Sequence, residues 1–234
     1  MTRHLKRLRI PSFWKAEKKT AKWAVRPMPG AHKQFESIPL VIILRDVLKL
    51  VDTEKDAKSI IKMGGVIVDG VIRKDQKYSA GLMDVVSITK FNLNYRIVPT
   101  PKGLELLEID AKESNRKFCM IRGKTTVSGG KLQLNLHDGR NILADPKGGY
   151  STGDTIVVEL PSQKIIGHVK LEKGALVIIS KGKNIGMLGK ITDIIVSESK
   201  EPTKVICNVN GEKLEVIKDY VFVVGKDKPL IKVE

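Results

Sequence analysis

Residues 37–72 read SIPLVIILRDVLKLVDTEKDAKSIIKMGGVIVDGVI, and three local patterns follow one another in this stretch. Leu40, Ile43, Leu44, Val47, Leu48 and Val51 recur at the spacing of one face of an α-helix, with Ser37 as a cap and Pro39 near the first turn. A second helix opens at Thr53, where Asp56 three residues on completes a capping box. It buries Ala57, Ile60 and Ile61 and stops at Gly64 and Gly65. Val66 to Val68 then face Val71 and Ile72 across Asp69 and Gly70, a dipeptide suited to the left-handed residues of a tight hairpin turn. A further strand is expected at 85–88, after Gly81. Two helices and a hairpin make residues 38–93 a small α+β domain. Arg45 and Lys49 fall on the exposed side of its first helix, and Lys55, Lys58 and Lys62 on one side of its second.

Upstream, the composition changes. Residues 1–37 carry Arg3, Lys6, Arg7, Arg9, Lys15, Lys18, Lys19, Lys22, Arg26 and Lys33 against Glu17 and Glu36, a balance of +8 in a chain whose formal net charge is +16. Pro11, Pro27 and Pro29 forbid one continuous helix, and Phe13, Trp14, Trp23 and Phe35 sit among the charges. Cations interleaved with aromatic rings suit a segment that lies along a phosphate backbone and stacks on exposed bases. Such an arm, without a hydrophobic period, is expected to be mobile alone and to order on its partner.

Downstream of residue 93 the helical period fades. Leu132, Leu134 and Leu136 alternate with Gln133 and Asn135, Asp138 and Gly139 turn the chain into Ile142 and Leu143, and 155–160 and 165–171 read as strands. Residues 94–170 are therefore expected to form a β-rich domain. In residues 171–234, stretches at 175–179, 191–196, 204–208, 214–217 and 220–224 give about five short strands, enough for a small barrel. Gly182, Gly186 and Gly189 are too closely spaced for a regular strand. They predict a bent loop in which one glycine takes a positive φ or lets another backbone come close.

A balance of +16 calls for an anionic partner, and nucleic acid gains most because each neutralised phosphate releases counterions. A membrane surface is disfavoured: the basic N-terminus lacks the apolar run of a signal peptide, the run 41–44 cannot span a bilayer, and no lipidation signal is found. A cytoplasmic protein with reduced Cys119 and Cys207 is the expectation. No catalytic set assembles. Arg122, Gly123, Lys124 and Thr125 resemble the end of a phosphate-binding loop, but Phe118 stands where that loop needs glycine. His4, His32, His137 and His168 are never paired with a cysteine at zinc spacing, so neither metal nor cofactor is expected. Asp138, before Gly139, reads as a turn residue rather than a general base.

Several stretches, taken in order, resemble one family. They are His4 to Leu8, Arg26 to Gly30 with His32 and Lys33, Leu44 to Lys49, Val68 to Gly70, Gly81 to Val85, Gln133 to Asn141, Gly153 to Thr155, and Gly182 to Ile191. Over nearly the whole chain this order is similar to the archaeal and eukaryotic small-subunit ribosomal protein family "S four, e-type". The resemblance implies a basic arm, an S-four-like RNA-binding domain, a β-rich central domain and an SH3-like KOW barrel. It implies a non-enzymatic role bound to ribosomal RNA and neighbouring small-subunit proteins, with no small-molecule substrate. The KOW loop would add Lys181, Lys183 and Asn184 to the contacts of the arm, including His32, and of the two helices. The alternatives are an S-four-domain RNA-modification enzyme, which needs a catalytic domain the remaining strands do not offer, and a KOW-containing translation or transcription factor.

Overall fold

The computed structural model describes residues 4–196, 201–209, 211–226 and 229–230. It is mostly β-sheet with few helices, and the chain divides into two compact units, Met1–Val98 with Lys102–Asn115, and Pro99–Pro101 with Arg116–Glu234.

In the first unit, β1 (Leu5–Lys6) and β2 (Trp23–Ala24) pair antiparallel, with Leu5 opposite Ala24. Two 3₁₀ turns, Arg7–Arg9 and Ser12–Trp14, lie between them. Leu5, Ile10 and Trp14 are buried in one core with Ile38, Leu40 and Ile43, and the Trp14 indole N–H donates to the Ser37 carbonyl at 2.9 Å. This corrects the expectation of a mobile arm. Its apolar side chains are set by turns rather than by a regular period, so a test for periodicity passes over them, yet they are anchored.

The strand β3 (Ser37–Pro39) leads directly into α1 (Leu40–Ile42), which continues as a π-helical turn, Ile43–Val47. This replaces the expected amphipathic helix over 40–51. Val41 and Ile42, placed by the period on the outer face, are buried along with Leu40, Ile43 and Leu44. A β-branched run enclosed on all sides gains little from extending as a helix. The Leu48 N–H instead closes on the Ile43 carbonyl at 2.9 Å, and Lys49 turns the chain with φ +51°. Ser37 does not cap; it belongs to β3, and its hydroxyl donates to the Lys33 carbonyl at 3.0 Å.

The second helix, α2 (Glu54–Lys62), keeps its predicted cap: Thr53 Oγ1 accepts the Asp56 N–H at 3.1 Å. After it come β4 (Val66–Val68), β5 (Val71–Ile72), β6 (Ser79–Gly81), β7 (Val85–Ile88), β8 (Leu93–Thr100) and β9 (Gly103–Glu108). The β4–β5 turn has positive φ at both Asp69 and Gly70, as its sequence predicts. The strands form one five-stranded sheet, β5-β4-β7-β8-β9, and a small β3-β6 pair.

The second unit holds two five-stranded sheets. The first comprises β10 (Arg116–Val127), β11 (Lys131–Leu136), β12 (Asn141–Ala144), β13 (Thr155–Glu159) and β14 (Ile165–Val169), in the order β12-β11-β10-β13-β14. β10 pairs with β13 through residues 116–120 and with β11 from Ile121 on, its register shifting between Ile121 and Gly123. The second comprises β15 (Leu176–Ile179), β16 (Leu188–Ile195), β17 (Lys204–Val209), β18 (Glu212–Ile217) and β19 (Val221–Gly225), in the order β18-β17-β16-β15-β19. The predicted glycine bend lies between β15 and β16. Gly182 and Gly186 have φ of +95° and +82°, and a Cβ on Gly186 would stand 2.5 Å from the Thr100 Cα.

Candidate nucleic-acid interface

Three clefts adjoin on the first unit. The largest, about 710 Å³, runs along 26–34 and is walled by Arg26, Lys33 and Lys77. The second, about 650 Å³, lies between α2 and the segment after β5, and holds Lys58, Lys62, Lys74, Asp75, Gln76 and Lys77. The third, about 250 Å³, is bounded by His4, Trp23, Arg26, Glu54, Gln76 and Lys77. Lys77 lines all three, and Arg26 and Gln76 two each. Among the described residues Lys55, Lys62, Lys74 and Lys77 form no ion pair, so their charge faces outward.

The expected contact residues therefore sort into groups. Arg26, Lys33, Lys58 and Lys62 come together at the clefts, joined by Lys74 and Lys77, which the sequence reading missed. The run from Arg73 to Lys77 carries three basic residues in five and was the available signal. Lys6, Arg9, Lys18, Lys19, Lys22, Lys49 and Lys55 are exposed. Lys15 is exposed and pairs with Glu105 at 2.8 Å. Arg7 is buried, donates to the Glu17 carbonyl and reaches Asp46 at 3.9 Å. Arg45 pairs with Asp46 at 2.7 Å and Glu54 at 3.6 Å, and Lys58 with Glu54 at 2.7 Å. These pairs tie the π turn to α2 and the arm, so Arg7 and Arg45 hold the scaffold. The His32 ring is 6% exposed, its Nε2–H donates to Asp84 at 2.9 Å, and a Cβ on Gly81 would strike it. Arg3 lies outside the described residues. Lys181, Lys183 and Asn184 sit in the second unit on the loop before Gly186, with Lys183 exposed.

The aromatic side chains divide likewise. Trp14 is fully buried and Phe13 packs against Gly103, whereas Phe35 is exposed and Trp23 is 46% exposed. The Lys22 ammonium lies 5.3 Å from the Trp23 ring centre, and the His4 ring 5.2 Å from it.

Ligand atoms of Cys119 and of the adjacent His137 and Asp138 lie within 4.8 Å of one another, the one group of metal-ligand type among the described residues. The place of a metal ion is already taken by protein cations. Lys117 Nζ stands 2.8 Å and Arg140 Nε 3.3 Å from the same Asp138 oxygen, and His137 Nδ1 accepts the Met120 N–H at 3.2 Å. Asp138 is thus more than a turn residue: its other oxygen accepts the Arg140 N–H at 3.1 Å. Burial pushes its carboxyl up, but Lys117, His137 and the Arg140 N–H together hold it below the ordinary carboxylate range. Both cysteines are buried and neither forms a disulfide, and burial pushes the Cys207 thiol up to about 11, far from nucleophilic.

Comparison with known proteins agrees in direction. The model of the Ribosomal family S4e matches residues 91–165, and that of the RS4NT domain residues 1–34. The chain is 46% identical to small ribosomal subunit protein eS4 of Methanocaldococcus jannaschii, across 98% of this chain and 97% of that one. It is 42% identical to the eS4 of Ignicoccus hospitalis, across 98% and 94%. The crystal structure of the 30S ribosomal protein S4e from Thermoplasma acidophilum superposes with a TM-score of 0.71 at 32% identity, covering 82% of this chain and 96% of that one.

Proposed function

The chain belongs to the ribosomal family S4e, and from that premise we propose that the three adjoining basic clefts of its first unit form its principal contact with ribosomal RNA. The protein is a structural, non-enzymatic constituent of the small ribosomal subunit. Its place of work is the ribosome, and by our reading the cytoplasm. The observation that carries the RNA contact is the convergence of Arg26, Lys33, Lys58, Lys62, Lys74 and Lys77 on clefts that share Lys77. Cations so placed neutralise phosphates on a folded backbone. They position the protein while the shape of the RNA sets specificity. We read residues 1–37 as the arm, 38–93 as the S-four-like domain, 94–170 as the central domain and 171–234 as the KOW barrel, with β8 and β9 at the start of the third segment completing the sheet of the second. Neighbouring small-subunit proteins are further partners.

The test is electrostatic. Changing Lys62, Lys74 and Lys77 together to Ala is expected to flatten the slope of log affinity against log salt by about 2–3 units, roughly 0.7–0.9 for each lost phosphate contact. The melting temperature should barely move, because these charges are exposed and contribute little to stability. An unchanged slope would place the RNA on another face. Lys181→Ala with Lys183→Ala tests the loop of the second unit the same way, with an expected loss of about 1.5 units. If that pair leaves RNA binding untouched, the loop serves a protein neighbour instead.

A further inference from the structure

We infer that the uncovered face of the β10–β11–β12 sheet lies in the minor groove of an A-form RNA duplex and reads its 2′-hydroxyls. The inference rests on the RNA reading above and adds a contact of the second unit to the basic clefts of the first. The two faces of this sheet are chemically unlike. Leu132, Leu134 and Leu136 pack from β11 into a core with Ile121 and Ile142. Side chains alternate along a strand, so Lys131, Gln133 and Asn135 stand on the opposite face. Their cross-strand neighbours there are Val127, Thr125 and Gly123 on β10, with Leu143 and Asn141 on β12. Thr125, Lys131, Asn141 and Leu143 are exposed, so this face is open to solvent.

Charge and hydrogen bonding identify the occupant. The 24 residues between Glu113 and Asp138 form the longest run of the sequence without an acid, and β12 carries none either. Arg122, Lys124 and Lys131 are exposed and, among the described residues, form no ion pair; Lys124 Nζ donates to the Tyr150 carbonyl at 2.9 Å. The register shift in β10 leaves Arg122 without a cross-strand partner, the extra residue of a bulge. On the open face Gln133 Nε2 donates to Asn135 Oδ1 at 3.0 Å, and Asn135 Nδ2 to Thr125 Oγ1 at 3.4 Å. Running head to tail, this row leaves an acceptor at the Gln133 Oε1, a donor at the Thr125 hydroxyl and a second N–H on each amide. A ribose 2′-hydroxyl both donates and accepts, so the row matches it. The minor groove of A-form RNA is wide and shallow and displays those hydroxyls, and three strands about 4.8 Å apart present a surface about 10 Å across. A protein partner fits less well, because the middle of this face is amide and hydroxyl where a protein interface has its apolar core.

Binding of the full-length protein to an RNA duplex and to a DNA duplex of the same sequence tests this, since DNA lacks the 2′-hydroxyl. Gln133→Val with Asn135→Val keeps side chains that suit a strand and removes the hydrogen-bonding row. It should weaken binding of the RNA duplex about tenfold and of the DNA duplex by less than about twofold, with the salt slope unaltered because neutral side chains release no counterions. Arg122→Ala with Lys131→Ala should flatten the slope on the RNA duplex by about 1.5 units and barely move the melting temperature. Equal losses on both duplexes from the valine variant would overturn the 2′-hydroxyl reading. No loss on either duplex from either variant would overturn the RNA contact altogether and leave a protein neighbour as the occupant of this face. If the triple lysine variant of the clefts still flattens the slope in that case, the RNA interface of the first unit stands and only this inference falls; if it too has no effect, both fall.

Discussion

Lys117→Met is expected to destabilise the second unit by about 3–5 kcal/mol, because it leaves the Asp138 carboxylate buried without its ammonium partner. The two side chains are 1% and 0% exposed and meet at 2.8 Å. Arg140, at 3.3 Å and partly exposed, compensates incompletely and brings the loss toward the lower end of that range. Trp14 and Trp23 both belong to the first unit, so tryptophan fluorescence is blind to this change. Urea denaturation followed by far-UV circular dichroism, with amide exchange read along β10 and β11, is the suitable measurement. A loss under about 1 kcal/mol would mean the pair is hydrated in solution. Adding Asp138→Leu to Lys117→Met should recover much of the deficit, since an apolar pair of similar volume needs no charge compensation.

The same pair sets an acid limit. Asp138 is held below its ordinary value in the folded protein, so its contribution is fully present above the unfolded carboxylate value near 3.9 and is lost as pH falls through the folded value. In Lys117→Met the strongest charge holding the carboxyl down is gone while burial still pushes it up. Acidification from pH 7 to pH 4 then relieves the variant while the Asp138 contribution of the wild type stays intact. The stability gap between them is expected to narrow steadily from pH 7 to pH 4; a gap independent of pH would remove Asp138 as its cause.

Sequence pattern located the second unit's strands where one face is buried and the other wet. Leu132, Leu134 and Leu136 alternate, and β11 forms over them; Asp138 and Gly139 mark the turn into β12. It said little about β10, whose residues 116–120 pair with one neighbour and the rest with another, so no single alternation runs through it. Lys117 was illegible for a related reason. A lysine is almost always exposed, and the carboxylate that permits its burial lies 21 positions on, reached only through the β10–β11 pairing. At the clefts the cations of the arm and of α2 were legible as charge. Their convergence was not, because the turn after β5 brings Lys74 and Lys77 between them. His32 stands among cations in sequence and was read with them, but Asp84, 52 residues away, makes it part of the scaffold.

Trp14→Ala is expected to cost about 3–5 kcal/mol, the range for truncating a fully buried aromatic residue, with the Ser37 carbonyl also losing its indole donor. The consequence reaches past stability, because Trp14, Ile10 and Leu5 are what fasten a segment carrying half the chain's net charge to the first unit. In the wild type the amides of residues 5–14 should exchange slowly in the free protein, in contrast to a tail that orders only on RNA. In Trp14→Ala they should exchange at nearly unprotected rates while β4 and β7 keep measurable protection. No cation is removed, so the salt slope of RNA binding should hold near the wild-type value. Affinity should nevertheless fall, since the arm must now be ordered at the moment of binding. Reduced affinity at constant slope separates positioning from charge. A slope that fell as well would mean that cations lose their phosphates once the anchor goes, and unchanged exchange at residues 5–14 would mean that contacts other than Trp14 hold the arm.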